Sequence, residues 1–152
     1  MIVLAGGFDD AKETKVVTML GVEAPEDLRC SHEEPDTCMI FHAVNVNRKF
    51  QSAGIVGRII LKSPDTDVLV LCIHYFPTLT NISQLWFETG TGTNAVNQHR
   101  YIPVHEISKS LSNPLSQSLP AAHALTGCDT TSYFFWIGKK SVFKLLEVNP
   151  DL

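Results

Sequence analysis

The sequence predicts an α/β fold, a sandwich of helices around a largely parallel sheet. Two observations predict it. Apolar runs of strand length alternate along the chain with segments of helical spacing. The 152 residues, 44% of them hydrophobic and 18% charged, supply one real core and leave no room for two ordinary domains.

The elements follow in order. Ile2 to Ala5 reads as a strand running into Gly6-Gly7, and Lys15 to Leu20 as a β-branched partner pairing back on it, so residues 1–24 form an N-terminal strand or hairpin. Glu26 to His32 is polar and loop-like. A helix is expected from about Glu34 to Val46, because Met39, Ile40, Ala43 and Val46 fall at helical spacing, followed by a polar connection from Asn45 to Gly54. Ile55 to Leu61 reads as a buried-type strand weakened by Gly57, and Asp65 to Asp67 as a turn. Val68 to Tyr75 is apolar nearly throughout, so periodicity leaves strand and buried helix both open. Gln84 to Glu88 and His99 to Val104 read as strands around a Gly/Thr/Asn loop. Helices are expected at His105 to Leu111, at Pro120 to Leu125 with proline in the first turn and Gly127 at the end, and at Lys139 to Leu146. A start on a core-type strand at residue 2 leads to the expectation that the domain is truncated at its N-terminus.

A net charge of −4 does not advertise a phosphate-tracking surface, yet acids gathered around metal ions lower net charge without harming local binding. The first residues lack the basic start and long apolar core of a secretory signal, and no stretch has the length of a membrane span. Cys30, Cys38, Cys72 and Cys128 form no CxxC pair and read as reduced thiols of an intracellular protein, the nucleus included.

Three acidic segments carry the candidate chemistry. Glu34 and Asp36 flank Pro35 at the expected helix start, where the helix dipole favours negative charge. Ser31 and Glu34 also match a capping box, a purely structural role. Asp65 and Asp67 share a turn directly after an apolar strand, and in open α/β sheets ligands gather beyond the carboxyl ends of strands. Their mutual repulsion needs protonation, solvent or a cation, and hard cations such as Mg²⁺ take such oxygens; the structural alternative is an Asx-turn and helix cap. Asp129 follows a helix end and a glycine, and alone fits a capped turn.

Together and in order, Glu34-Pro-Asp36, Asp65-Thr-Asp67, Leu125-Thr-Gly-Cys-Asp129 and Ile137-Gly-Lys139-Lys140 resemble the motifs of the flap-endonuclease branch of the PIN-like nucleases. The resemblance covers roughly residues 25–147. The segments HEEPDT, SPDTDVLVL and HALTGCDTTS also resemble those of a group of animal proteins, some tied to mobile elements. The resemblance implies a three-layer PIN-like sandwich over residues 1–152, with a helix–two-turn–helix-like segment at 127–147. It implies two-metal phosphodiester hydrolysis of flap, branched or single-stranded DNA or RNA, with no membrane partner. Glu34, Asp36, Asp65, Asp67 and Asp129 would hold two Mg²⁺ or Mn²⁺ ions, and Lys139 and Lys140 would hold a substrate phosphate. The chain departs from the pattern in two places. Two N-terminal aspartates of the family have no matching context in Asp9 and Asp10, and Trp136 replaces the first glycine of G-x-G. The departures imply weak or absent activity for this chain alone. The alternative is a catalytically inert PIN-like remnant that binds nucleic acid or protein.

Competing constellations carry less. Cys30, His32, Cys38 and His42 make a string too tight for a usual zinc knuckle. His123 near Cys128 lacks the third orienting group of a Cys/His nucleophile and reads as a helical histidine. Thr89-Gly-Thr-Gly-Thr93 lacks the lysine of a phosphate loop and reads as a hairpin turn.

Overall fold

In the computed structural model, residues 2–5, 8–10, 12–30, 35–90, 99–128 and 138–149 are described. Strands β1 (Ile2–Ala5), β2 (Thr14–Thr18) and β3 (Gly21–Glu23) form an antiparallel meander, one strand more than the expected hairpin. A single turn of 3₁₀ helix at Glu26–Leu28 leads toward helix α1 (Pro35–Ala53). The main body follows as β4 (Gly57–Lys62), α2 (Thr66–Tyr75), β5 (Ile82–Thr89), β6 (Arg100–Pro103), α3 (Val104–Ser110) and α4 (Asn113–Leu125), with α5 (Lys139–Val148) after them. None of the described helices is long and apolar enough to cross a membrane.

The class is mixed α/β, with two small sheets and five α-helices among the described residues. The main sheet is mixed over the described residues. β5 lies between β4 and β6, parallel to the first and antiparallel to the second. A parallel pair needs a crossover, and α2 supplies it. Burial alternates along β4: Ile59 and Leu61 face the core, whereas Arg58, Ile60 and Lys62 are exposed. The inner face, with Ile82, Leu85 and Phe87 of β5, packs against Ile40 and Ala43 of α1, Val68, Cys72 and Ile73 of α2, and Val104 of α3. Burial holds the Cys72 thiol un-ionised, its pKa pushed up to about 12.

Two helices differ from expectation, and the run left open is resolved. α1 continues through the asparagine-rich stretch to Ala53 instead of stopping at Val46. Asn45 and Asn47 are buried there, and the Asn47 side-chain oxygen accepts the Asn81 N–H at 2.8 Å, so tertiary bonding overrides poor helix propensity. The helix ends on Gly54 at φ 65°, with Ile55 N–H on the Phe50 carbonyl and Gly54 N–H on the Gln51 carbonyl, a full Schellman closure. The apolar run at residues 68–75 resolves as helix, because Asp65 caps it through the Asp67 N–H at 2.8 Å.

α4 begins seven residues before Pro120, at Asn113, with Ser112 as its own N-cap and Pro114 in the first turn. Pro120 therefore lies inside the helix, not at its start. Its missing N–H leaves the Ser116 carbonyl without the usual helical donor. The His74 Nδ1 lies 3.3 Å from that carbonyl and takes the place, while the Ser116 hydroxyl donates to the Ile73 carbonyl at 3.4 Å. A helix defect thus becomes the seam between α2 and α4.

The expected reduced thiols are corrected for one pair: Cys30 and Cys38 form a disulfide, Cα–Cα 6.2 Å. This removes two ligands from the Cys30/His32/Cys38/His42 string. His32 lies outside the described residues, and His42 sits on α1 with its Nε2 buried and unpartnered among them.

Candidate functional site

The site is built where β4 ends. Ser63 extends the strand ladder by giving its N–H to the Glu88 carbonyl at 3.1 Å, and its hydroxyl accepts the Asp65 N–H at 3.1 Å. Those two bonds fix the turn. Asp65 then occupies the N-cap of α2 in extended geometry, and Asp67 stands in the first helical turn. Both carboxylates lie at the carboxyl end of a parallel strand and at the positive end of a helix.

Asp67 has a partner that sequence reasoning did not supply. His123, in the last turn of α4, places Nε2 2.6 Å from Asp67 Oδ1, with the two side chains 14% and 26% exposed. His123 is legible as a helical histidine, but nothing in the sequence joins it to an acid 56 positions earlier.

Glu88 is a second residue missed. It is the penultimate residue of β5, beside Lys62, whose ammonium lies at 2.9 Å, and His99, at 3.1 Å. The Lys62 hydrogen bond holds the Glu88 carboxyl below the usual carboxylate range against a smaller opposing effect of desolvation.

Asp36 is half-buried in the first turn of α1. Phe50 of α1 packs on Gly57 at the start of β4. From Phe50 back to Asp36 the helix covers roughly 21 Å at about 1.5 Å per residue. β4 covers roughly 17–20 Å. The two lengths are comparable. Glu34 and Asp129 lie outside the described residues, as does Trp136. Among the described residues, no three His, Cys, Asp or Glu side chains meet as a metal-holding group. Asp10, set aside in the sequence, binds Arg29 at 2.5 Å and caps the Lys12 N–H, and these bonds lower its pKa.

The donor chemistry of the turn suits a hard cation. Asp65 Oδ1 is engaged by the Asp67 N–H and Asp67 Oδ1 by His123, but a carboxylate offers about four lone-pair sites, so each retains acceptor capacity.

A groove of about 440 Å³ adjoins the turn. Val70 of α2, Leu119 and Ala122 of α4, and Phe143 of α5 form apolar walls. His123 belongs both to this groove and to the Asp67 pair. Lys139 and Lys140, the expected phosphate holders, line it with Lys144. Compared with known proteins, the chain finds no matching family model, no matching curated protein and no matching solved structure.

Proposed function

We propose that this chain is a metal-dependent nuclease-related domain of the PIN-like, flap-endonuclease type, acting on phosphodiester bonds of single-stranded, flap or branched DNA or RNA. One observation carries the reading. The Asp65/Asp67 turn, at the carboxyl end of β4, adjoins through His123 a groove lined by Lys139, Lys140 and Lys144. Carboxylates for cations beside ammonium groups for phosphate are the two parts that phosphodiester chemistry needs. Glu34, Asp36 and Asp129 are the further acids the reading assigns to the same site, within a three-layer sandwich.

Bound Mg²⁺ or Mn²⁺ would supply an activated water and offset charge on the scissile phosphate. The chain's own residues have simpler tasks. Asp65 and Asp67 fix the cation positions relative to α2. His123 holds the Asp67 carboxylate in one orientation, and the lysines hold the substrate backbone. Asp65→Asn and Asp67→Asn test this, since asparagine keeps the size of each side chain and, at position 65, caps a helix as well as aspartate does. With Mg²⁺ or Mn²⁺, each is expected to lower cleavage of flap and single-stranded substrates by roughly a hundredfold, a loss of the size seen when a charge-stabilising group is removed. Cleavage that survives both substitutions unchanged removes the assignment.

A second reading has an observation of its own. His123 at 2.6 Å takes an Asp67 oxygen that a cation would use, which favours an inert module that binds nucleic acid without metal. Calorimetry separates the two: nucleic-acid binding retained in EDTA, with no heat on Mn²⁺ addition, selects the inert module.

A further inference from the structure

We propose that the groove between α4 and α5 is a nucleotide pocket, holding one unstacked base of a single strand while Lys139, Lys140 and Lys144 take the adjoining phosphates. The proposal deepens the reading above and rests on it for the choice of nucleic acid.

Charge complementarity argues first. Lys139, Lys140 and Lys144 are exposed, and none enters an ion pair among the described residues. Glu147 is the one acid among the described lining residues, so these carry a surplus of two positive charges in a protein of net charge −4. A single carboxylate, as on an acyl chain, does not match that surplus, whereas a phosphodiester backbone repeats its charge. Size argues second. About 440 Å³ lies within the usual range for small-ligand sites. The walls argue third. Val70, Leu119 and Ala122 face a groove that also holds the Phe143 ring, and apolar walls with one aromatic face accept any base without reading its edges. Excluding water there also strengthens the attraction of the lysines for phosphate. His123 joins the groove to Asp67, so a base seated in it brings the next phosphodiester toward the acidic turn.

The test uses the full chain in EDTA and fluorescence anisotropy. One probe is a fluorescein-labelled oligothymidylate; the other is an abasic tetrahydrofuran phosphodiester of equal length. The thymidylate is expected to bind about tenfold tighter, as for one base stacked on an aromatic ring. Phe143→Leu keeps the wall apolar and is expected to bring the ratio of the two affinities to about one, with helicity unchanged by circular dichroism. Lys139→Gln and Lys144→Gln should weaken both probes together, because phosphate contacts carry no base information. Equal binding of the two probes, no binding of either, or a ratio indifferent to Phe143→Leu overturns the proposal. So does displacement of the probe by micromolar dodecanoate without base preference, which assigns the groove to an acyl chain. Base preference in EDTA without cleavage in Mn²⁺ removes only the nuclease reading. Cleavage without base preference removes only the pocket.

Discussion

Gly57 stands where the Phe50 ring leaves no room for a side chain, so a Cβ there would collide with the ring. Gly57→Ala is expected to cost roughly 1–3 kcal/mol in urea denaturation, the usual penalty of overpacking. Phe50→Leu in the same chain should recover part of the loss, and strictly additive losses would remove the steric account. His42 is set by its surroundings in another way. Its Nε2 is buried without a partner among the described residues, and burial, helped by Lys49, lowers its pKa from the usual 6.5. A depressed histidine binds fewer protons folded than unfolded, so stability rises with pH across the window below 6.5. Stability measured from pH 7.5 down to 5 is therefore expected to fall, and His42→Leu to flatten that slope. A slope identical in both proteins would assign the acid sensitivity of this window to another group, since Asp10 and Glu88, with lowered values, act only at more acidic pH.

At the level of elements, the Pro120 seam makes the sharpest claim. His74 satisfies the Ser116 carbonyl because Pro120 cannot. His74→Ala should leave a buried acceptor unpaired and cost about 1–3 kcal/mol. In the Pro120→Ala background the helix makes its own bond, so the same His74 substitution should cost distinctly less. A double-mutant cycle measures the difference, and a coupling near zero would separate the two residues. The same helix explains what the sequence did and did not reveal. Its end was legible, because Gly127 adopts φ 91° just past the last turn, a local requirement. Its start was not, because Pro120 resembles a first-turn proline while the compensating His74 is remote in sequence. The site divides likewise. The Asp65/Asp67 turn could be located from the apolar strand and its acids alone. The Asp67–His123 pair and the lysine-lined groove depend on α2, α4 and α5 packing together, which no local pattern records. The end of α1 was misjudged for the same reason, since Asn47 is suited to the helix only by its bond to Asn81.

Across the whole molecule, the N-terminal meander and the helix–sheet body have different means of support. The body is held by the cluster from Ile40 to Val104. The meander leaves Ile2, Leu4 and Val22 exposed and buries chiefly Thr14 and Val16, too little apolar surface to hold itself in place. Its polar fastenings converge on residues 29 and 30: Arg29 binds Asp10, and the Cys30 N–H reaches the Lys12 carbonyl at 3.2 Å. The Cys30–Cys38 bond then ties that junction covalently to the first turns of α1, two residues from Asp36. Chain-entropy reasoning gives such a short closed loop roughly 2–3 kcal/mol of stabilisation. Complete reduction, confirmed by mass, is therefore expected to lower the urea midpoint of the wild-type chain. Cys30→Ser with Cys38→Ser should match the reduced wild type and be indifferent to reductant. Because the lost constraint adjoins Asp36 and not the capped turn of α2, amide exchange should quicken in α1's first turns before it does in residues 66–75. An unchanged midpoint after reduction, or equal quickening in both helices, would mean that packing alone seats the meander and that the disulfide does not order the start of α1.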